Sequence, residues 1–171
     1  VTLTGVDDFV DDGDIGYTIV TAPATSGDGN YDGLNPANVS ATNTDDDTAG
    51  VSVAPSEGLS PGEAGAGATF GIVLKSQPSA DVVISVVSSD TTEGAVSVSS
   101  VTLTAEDWNT PHIVTVKGID DAIVDGDVAY MVVTGAVVSA DPLYAGIDPA
   151  DVSLVNTDDL DGRNIVLELV P

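Results

Sequence analysis

The chain repeats part of itself, and this repeat limits the folds open to it more than any other feature. Residues 1–47 align without a gap onto residues 114–160 at a constant offset of 113, and 23 of the 47 aligned positions are identical. Self-similarity at a fixed period is typical of tandem-repeat proteins, in which each unit packs like its neighbours. The sequence therefore predicts a repeat unit of about 113 residues.

The offset divides the chain into three parts. Residues 48–160 form one complete unit, and residues 1–47 correspond to the C-terminal half of a preceding unit. Residues 161–171 have the alternating apolar pattern that begins the complete unit, so we interpret them as the first strand of a following repeat. Half a unit leaves an apolar face and a sheet edge uncovered. We therefore expect residues 1–47 to pair with a neighbouring molecule or to be poorly ordered.

Seven segments of the complete unit have the period-2 alternation of β-strands, and none has helical periodicity with caps. Short strands separated by turn signals are typical of an antiparallel sandwich. We therefore predict an all-β fold, an antiparallel seven-stranded sandwich in tandem repeats. The predicted strands lie around Val51 and Val53, from Phe70 to Leu74, and over 81–88, 98–104, 113–119, 128–138 and 150–156.

The charge balance is extreme, with 28 Asp plus Glu against 3 Lys plus Arg and a net charge of −25. Such a chain repels nucleic acid and anionic membrane surfaces, and no apolar stretch reaches the roughly 18 residues of a membrane span. Cysteine is absent, which excludes disulfides and thiolate metal sites. The hydrophobic fraction of 42% is high enough for a real core, so the chain is not an acidic disordered tail.

The acids cluster rather than scatter, which favours specific metal sites over general adaptation to high salt. One cluster lies in the loop after the predicted fifth strand, and a second follows the last strand. The first cluster consists of Asp120, Asp121, Asp125 and Asp127, mirrored by Asp7, Asp8, Asp11, Asp12 and Asp14. The second cluster consists of Asp158 and Asp159, mirrored by Asp45, Asp46 and Asp47.

These two loops can fall at the same end of an antiparallel sandwich, so their carboxylates can converge. Several Asp side chains held together without a cation repel one another strongly. Ca²⁺ takes roughly six to eight oxygens, often from several loops, whereas Mg²⁺ prefers few carboxylates and keeps its waters. The clusters therefore predict calcium sites. The alternative, a solvated acidic turn, accounts less well for a spacing that recurs in both copies.

The complete unit also resembles a known family, the Calx-beta domains of sodium–calcium exchanger regulatory regions and of many bacterial surface proteins. The likeness covers residues 48–160 and, by repetition, residues 1–47. It rests on an acid before the second strand, on the strand patterns, on an Asp-Trp pair and on the two acidic runs. In this sequence those features are Glu63, 68–74, 82–86, 101–104, Asp107 with Trp108, 113–116, Asp120 with Asp121, 125–127 and 157–159.

The resemblance implies an immunoglobulin-like sandwich that binds Ca²⁺. The implied ligands are Glu63, Asp120, Asp121, Asp125, Asp158 and Asp159, with a backbone carbonyl from Ile123, and in the partial unit Asp7, Asp8, Asp12, Asp45 and Asp46. Three departures from the family concern residues 125–127, where the family often has a Glu-x-x-Glu pattern, Leu160, which stands where the first copy has Asp47, and the family's Asp-Tyr segment, which is missing. Asp90 and Glu93 are the acids nearest to that segment.

Nothing in the sequence predicts an enzyme, because His112 is the only histidine and an acidic site repeated in each unit indicates structure rather than catalysis. Our hypothesis is a calcium-stiffened spacer or adhesive module of a secreted, extracellular or bacterial cell-surface protein. Its expected partners are neighbouring repeats or copies of the same protein in a filament, or a cell-surface glycan. The alternatives are a calcium-dependent carbohydrate- or protein-binding module, an accessory domain of a secreted enzyme, and salt adaptation alone.

Overall fold

The computed structural model describes residues 1–159, which form strands, turns and loops. The chain divides into two compact units, Val1–Thr48 (unit 1) and Ala49–Pro171 (unit 2). Across the described residues no helix offers the length and apolarity that a bilayer span requires. The strand expected over residues 161–171 lies outside the described part of the chain.

Unit 1 contains one antiparallel strand pair. Strand β1 (Ile15–Ile19) pairs with β2 (Val39–Asn43), with Tyr17 opposite Ala41. Not one of the residues 1–48 is buried. Unit 1 is therefore a hairpin without a core of its own, and its assignment as half of a repeat stays a prediction.

The described residues of unit 2, 49–159, form nine strands, because alternating apolar residues recur along them with turns between them. Their lengths range from two to eight residues. The strands are β3 (Val51–Ala54), β4 (Gly67–Leu74), β5 (Val82–Ser88), β6 (Gly94–Val96), β7 (Ser100–Leu103), β8 (His112–Gly118), β9 (Val128–Thr134), β10 (Val138–Ser139) and β11 (Val152–Asn156).

These strands form two antiparallel sheets. One sheet has the order β3-β4-β8-β6, and the other has the order β10-β5-β9-β11, with β7 also paired to β5. The predicted all-β antiparallel fold is confirmed, but the predicted count of seven strands is too low. The predicted sixth strand divides into β9 and β10 because its pairing with β5 shifts by one residue between them. Thr134 lies opposite Val86 and Val138 opposite Val83, so the three residues 135–137 face only two residues of β5, as in a β-bulge. The other additional strand, β6, has only three residues and shows no alternation.

Both sheets contribute to a single hydrophobic core, which makes unit 2 a β-sandwich. In β5, every second side chain is buried, as the period-2 alternation requires. Trp108 and several smaller side chains are partly buried against this core. Its buried members are Phe70, Ile72, Leu74, Val82, Ile84, Val86, Val101, Leu103, Val114, Val116, Tyr130, Val132, Val137, Tyr144, Val152 and Leu154.

The segment 56–61 runs along the free edge of β11 and determines where Glu63 lies. Backbone N–H groups of Ser153, Val155 and Thr157 donate to carbonyl oxygens of this segment at 2.8–3.0 Å. The contact is parallel, with Gly62 bridged to Thr157. An edge strand left open would expose unpaired backbone groups, so this segment also protects the sheet. As a result, Glu63 lies beside the end of β11, where the terminal acidic run begins.

Candidate metal centre

Glu63 is the centre of an acidic cluster at one end of unit 2. Its side chain is only 7% exposed, which is unusual for a carboxylate. One oxygen each from Glu63, Asp125 and Asp158 lie within 4.8 Å of one another, and the same holds for Glu63, Asp120 and Asp159. The structure therefore brings together five predicted ligands from three separate segments, with Glu63 common to both sets.

Two hydrogen bonds connect the loop after β8 to the acidic run after β11. The Gly126 N–H donates to Asp158 Oδ2 at 2.9 Å, and the Asp158 N–H donates to Asp127 Oδ1 at 3.3 Å. Gly126 has a φ of 83°, a conformation that glycine adopts without strain. The two loops thus hold each other in place, and Asp127 serves this connection rather than either converging set.

Asp121 and Ile123 shape the same loop from within. The Ile123 N–H donates to Asp121 Oδ1 at 2.7 Å, and the Ile123 carbonyl accepts a hydrogen bond from the Asp125 N–H at 3.1 Å. Both residues are predicted ligands, yet neither belongs to the two converging sets of carboxylates. Their contacts position Asp125 and keep the loop turned towards Glu63.

The surroundings of Glu63 disfavour its charged form. Burial is the main cause that raises the pKa of Glu63, and the negative charges of Asp158, Asp121 and Asp125 raise it further. A hydrogen bond of 3.3 Å from the Asp159 N–H to Glu63 Oε2 acts in the opposite direction. The sequence has only 3 Lys plus Arg against 28 acids, so side-chain cations cannot balance clusters of this kind. A bound cation would favour the ionised carboxylate.

Two buried residues beside the acidic cluster, Asn156 and Glu93, were not among the ligands predicted from the sequence. Asn156, which is 1% exposed, directs its Nδ2 towards Glu63 Oε1 at 3.4 Å, Glu93 Oε2 at 3.3 Å and the Ile119 carbonyl at 3.2 Å. Glu93 is also buried, and after burial itself its charge is the second cause that raises the pKa of Tyr130. One signal could have identified Asn156: the repeat places an Asn two residues before the terminal acidic run in both copies.

Unit 1 contains a smaller version of the acidic cluster. Oxygens of Asp7, Asp46 and Asp47 lie within 4.8 Å of one another. Desolvation raises the pKa of Asp47, and the charges of Asp46 and Asp45 add to this effect. No counterpart of Glu63 exists within residues 1–48, because the aligned part of the repeat begins after that position. This cluster therefore has acids from two segments instead of three.

The loop contacts of unit 1 repeat those of unit 2 position by position. The Gly13 N–H donates to Asp45 Oδ2 at 2.7 Å, and the Asp45 N–H donates to Asp14 Oδ1 at 3.0 Å. Backbone donors from Asp47 and Gly13 lower the pKa of Asp45. Asp8 accepts a hydrogen bond from the Val10 N–H at 2.9 Å, as Asp121 does from Ile123. Asp12 lines the cavity beside this cluster.

Comparisons with known proteins add information on the fold. No family model matches the chain, and no curated protein matches it. Among solved structures, the chain is similar to the periplasmic chaperone SfaE, with a TM-score of 0.50 and 8% identity over 64% of this chain. The match covers 58% of the chaperone. This likeness shows a shared β-sandwich fold.

Two further similarities are weaker by TM-score. The apo-form Calx CBD1 domain matches with a TM-score of 0.46 and 13% identity, over 64% of this chain and 96% of that domain. The surface layer protein SbsC, domains 1–6, matches with a TM-score of 0.41 and 19% identity, over 71% of this chain and 15% of that protein. The β-sandwich fold by itself assigns no role to the acidic loops.

Proposed function

We propose that unit 2 is a calcium-binding, non-enzymatic structural module of the Calx-beta type. The observation that carries this proposal is the position of Glu63, a nearly buried carboxylate shared by two sets of converging acids. A buried ionised carboxylate among like charges is strongly unfavourable unless a cation compensates it. Asp158 is held in this cluster by backbone contacts, because its carboxylate accepts from the Gly126 N–H and its own N–H donates to Asp127.

The spacing of the carboxylate oxygens fits calcium. Ca²⁺ binds oxygens at about 2.3–2.6 Å, so two ligands of one ion lie up to about 5 Å apart. Each set in unit 2 keeps its three oxygens within 4.8 Å. Because Glu63 belongs to both sets, we propose two neighbouring ions that share its carboxylate. Backbone carbonyls and waters complete the coordination, since Ca²⁺ accepts roughly six to eight oxygens.

Calcium at this position connects three segments that are far apart in sequence. The edge segment with Glu63, the loop after β8 and the run after β11 then move as one body. An ion that binds only the folded state stabilises it by mass action, by about 2.7 kcal/mol at a free concentration 100 times Kd. In calcium-rich extracellular fluid, this makes the module a stiff spacer within a repetitive protein of the cell surface.

The wider context belongs to the same proposal. We place the module outside the cell, in a repetitive adhesin or surface filament, with neighbouring repeats or further copies of the protein as partners. A calcium-dependent glycan-binding role would call for exposed aromatic side chains near the acids. Trp108, the only tryptophan, instead packs partly buried against the core, which favours the spacer.

Thermal unfolding of the full chain in Ca²⁺ and in EDTA, at constant ionic strength, tests the proposal. We expect calcium to raise Tm by on the order of 10 °C at saturating concentration, given about 4–8 °C per kcal/mol for a domain of this size. Matching the ionic strength with sodium excludes general charge screening as the cause.

A matched pair of variants makes this test specific. The double substitution Asp120→Asn and Asp125→Asn removes one acid from each set and should abolish most of the calcium-dependent rise. The control, Asp28→Asn with Asp32→Asn, removes the same charge from an exposed loop of unit 1 and should preserve it. Equal losses in both variants, or an equal rise with sodium alone, would contradict the proposed sites.

A further inference from the structure

Unit 1 exposes the side chains that its repeat partner buries. Tyr31 is 61% exposed, whereas the aligned Tyr144 is 1% exposed. Val39 is 54% exposed, whereas the aligned Val152 is fully buried. Tyr17, Ile19 and Ala41 are partly exposed, although their partners Tyr130, Val132 and Leu154 belong to the core of unit 2. We call the residues Tyr17, Ile19, Tyr31, Val39, Ala41 and Asn43 the acceptor face.

Unit 2 shows what covers this face in a complete sandwich. Side chains from β3, β4, β5 and β7, all within residues 49–113, pack against those of β8, β9 and β11 in one core. The same segment includes Phe70, the largest apolar side chain of that core and one that has no counterpart in residues 1–48. A segment that covers the acceptor face therefore needs the apolar strand pattern of residues 49–113.

Polar contacts make the match more specific than apolar packing alone. Tyr144 Oη donates to the Ser76 carbonyl at 2.6 Å, and Asp141 Oδ2 accepts from the Ser79 N–H at 2.7 Å. Both partners lie within residues 49–113. In unit 1, the aligned Tyr31 is exposed, and Asp28 accepts hydrogen bonds from Asn30 within its own loop. The groups that would contact such a segment are therefore in place.

A cavity of unit 1 corresponds to space that is filled in unit 2. The cavity has a volume of about 680 Å³ and is lined in part by Gly5, Asn43 and the acidic cluster. In unit 2, the Gly62 backbone packs so closely against Gly118, the partner of Gly5, that a Cβ added there would lie 2.7 Å from the Gly62 carbonyl. Glu63 then contacts Asn156, the partner of Asn43. The cavity of unit 1 therefore corresponds to the space that residues 62 and 63 fill in unit 2.

We propose that the acceptor face is a docking surface for a polypeptide segment with the strand pattern of residues 49–113. A second copy of the chain is a poorer occupant. Its residues 49–113 already cover its own core, and two chains of net charge −25 repel each other.

Docking requires no calcium, because it rests on apolar packing and on neutral and backbone hydrogen bonds. It does complete the acidic cluster of unit 1, since the docked segment brings its equivalent of Glu63 towards Asp7, Asp46 and Asp47. Docking and calcium binding can therefore fail independently, and a measurement in EDTA isolates docking.

The test extends the full chain by a copy of residues 49–113 placed directly before Val1. Amide hydrogen exchange, followed by mass spectrometry in EDTA, reports on peptides that cover β1 and β2. We expect exchange in both strands to slow at least tenfold relative to the unextended chain, towards the rate of the aligned strands β9 and β11. Unchanged exchange in β1 and β2 overturns the proposal, provided that β9 and β11 stay protected.

Two controls identify the occupant. An extension of the same composition in scrambled order should leave β1 and β2 as exposed as in the unextended chain; equal protection by it overturns the sequence-specific match. Tyr31→Phe should speed exchange in the extended chain at least threefold and change nothing in the unextended one. If the unextended chain instead forms a dimer with protected β1 and β2 in sedimentation and exchange measurements, a second copy is the occupant and the proposed segment is wrong.

Discussion

Units 1 and 2 contain aligned sequences but differ in what those sequences bury. The acidic loops have the same hydrogen bonds in both, at 2.7 Å between Gly13 and Asp45 and at 2.9 Å between Gly126 and Asp158. Strand residues such as Tyr17 and Val39 are partly exposed or exposed in unit 1, whereas their aligned partners Tyr130 and Val152 are buried in unit 2. Loop geometry is therefore determined by nearby residues, whereas burial depends on the presence of residues 49–113.

The difference extends to the acids themselves. In unit 1 the converging acids come from two segments. In unit 2 the segment along the edge of β11 adds a third acid, Glu63. Among the converging acids, only Glu63 is buried. The comparison indicates that the first half of the repeat has two roles: it closes the core and it completes the acidic site.

The largest expected difference between the units concerns their aligned tyrosines. Tyr144→Ala should lower the free energy of unfolding of unit 2 by about 3–5 kcal/mol, because it removes a buried ring and its hydrogen bonds to Ser76. Tyr31→Ala should change it by less than about 0.5 kcal/mol, as exposed substitutions do. Urea unfolding followed by Trp108 fluorescence measures both values.

Trp108 packs against the core of unit 2, so its fluorescence reports on that unit. A loss of unit 2 stability at Tyr31→Ala as large as at Tyr144→Ala would mean that the Tyr31 ring is also buried in a folded core, contrary to the comparison. Tyr144→Phe provides the intermediate case, since it keeps the ring and removes only the hydroxyl.

A smaller contrast is expected at the aligned asparagines. Asn156→Ala should destabilise unit 2 by about 2–3 kcal/mol, because it leaves the Glu63 and Glu93 carboxylates buried without their shared donor. Asn43 instead donates to the Val6 carbonyl, at 2.8 Å, and not to a buried carboxylate. Asn43→Ala should therefore change the rate of amide hydrogen exchange in β1 and β2 by no more than a few fold. Equal and small effects at both positions would show that Asn156 is not the donor for the buried acids.

Much of this contrast could be predicted from the sequence. Period-2 alternation located seven strands of unit 2 because their inward residues face one apolar core. The repeat predicted that acids from the β8–β9 loop and from the end of β11 can converge, since both loops follow strands that end on the same side. Asp125 and Asp158 do lie together, with Glu63 added.

The rest depends on contacts that no local pattern encodes. Strand β6 pairs with β8 over only three residues, too few to show alternation. Asn156 and Glu93 meet from positions 63 residues apart, and their burial depends on how the sheets close. Asp121 and Asp127 are aspartates of the same loop as Asp125, yet their carboxylates accept backbone hydrogen bonds and do not belong to the converging sets.

The third contrast sets Asp141 against its exposed partner Asp28. Burial acts to raise the pKa of Asp141, but hydrogen bonds from the N–H groups of Ser79 and Leu143 outweigh it, and the pKa is lowered. Its contribution to stability is therefore present above the unfolded value of 3.8 and disappears as the pH falls through the lower folded value. At pH 7, Asp141→Asn should cost about 1–2 kcal/mol.

Urea unfolding of this variant from pH 7 down to about pH 2 follows the effect. The difference from the unsubstituted chain should shrink towards zero as both forms become neutral. Asp28→Asn is the matched control, because its carboxylate accepts hydrogen bonds within an exposed loop. A constant difference across the whole pH range would mean that the charge of Asp141 is not the cause.

The smallest expected effect has the opposite sign and belongs to Glu63, which has no counterpart in unit 1. The folded pKa of Glu63 is raised above 4.5, so the folded state retains its proton more strongly than the unfolded chain does. In EDTA, stability should therefore fall as the pH rises from about 4.5 through the folded value, and Glu63→Gln should remove this fall. The Tm of the Glu63→Gln variant should then exceed that of the unsubstituted chain at pH 7. Saturating Ca²⁺ should reverse this order of Tm values, because only the carboxylate binds the ion as an anion.

Glu57→Gln, an exposed change in the same edge segment, is the control and should follow the unsubstituted chain in both conditions. If Glu63→Gln and Glu57→Gln have the same Tm in EDTA and in Ca²⁺, then Glu63 is neither strained by its surroundings nor a ligand, and the distinction between the two acidic clusters is one of position alone.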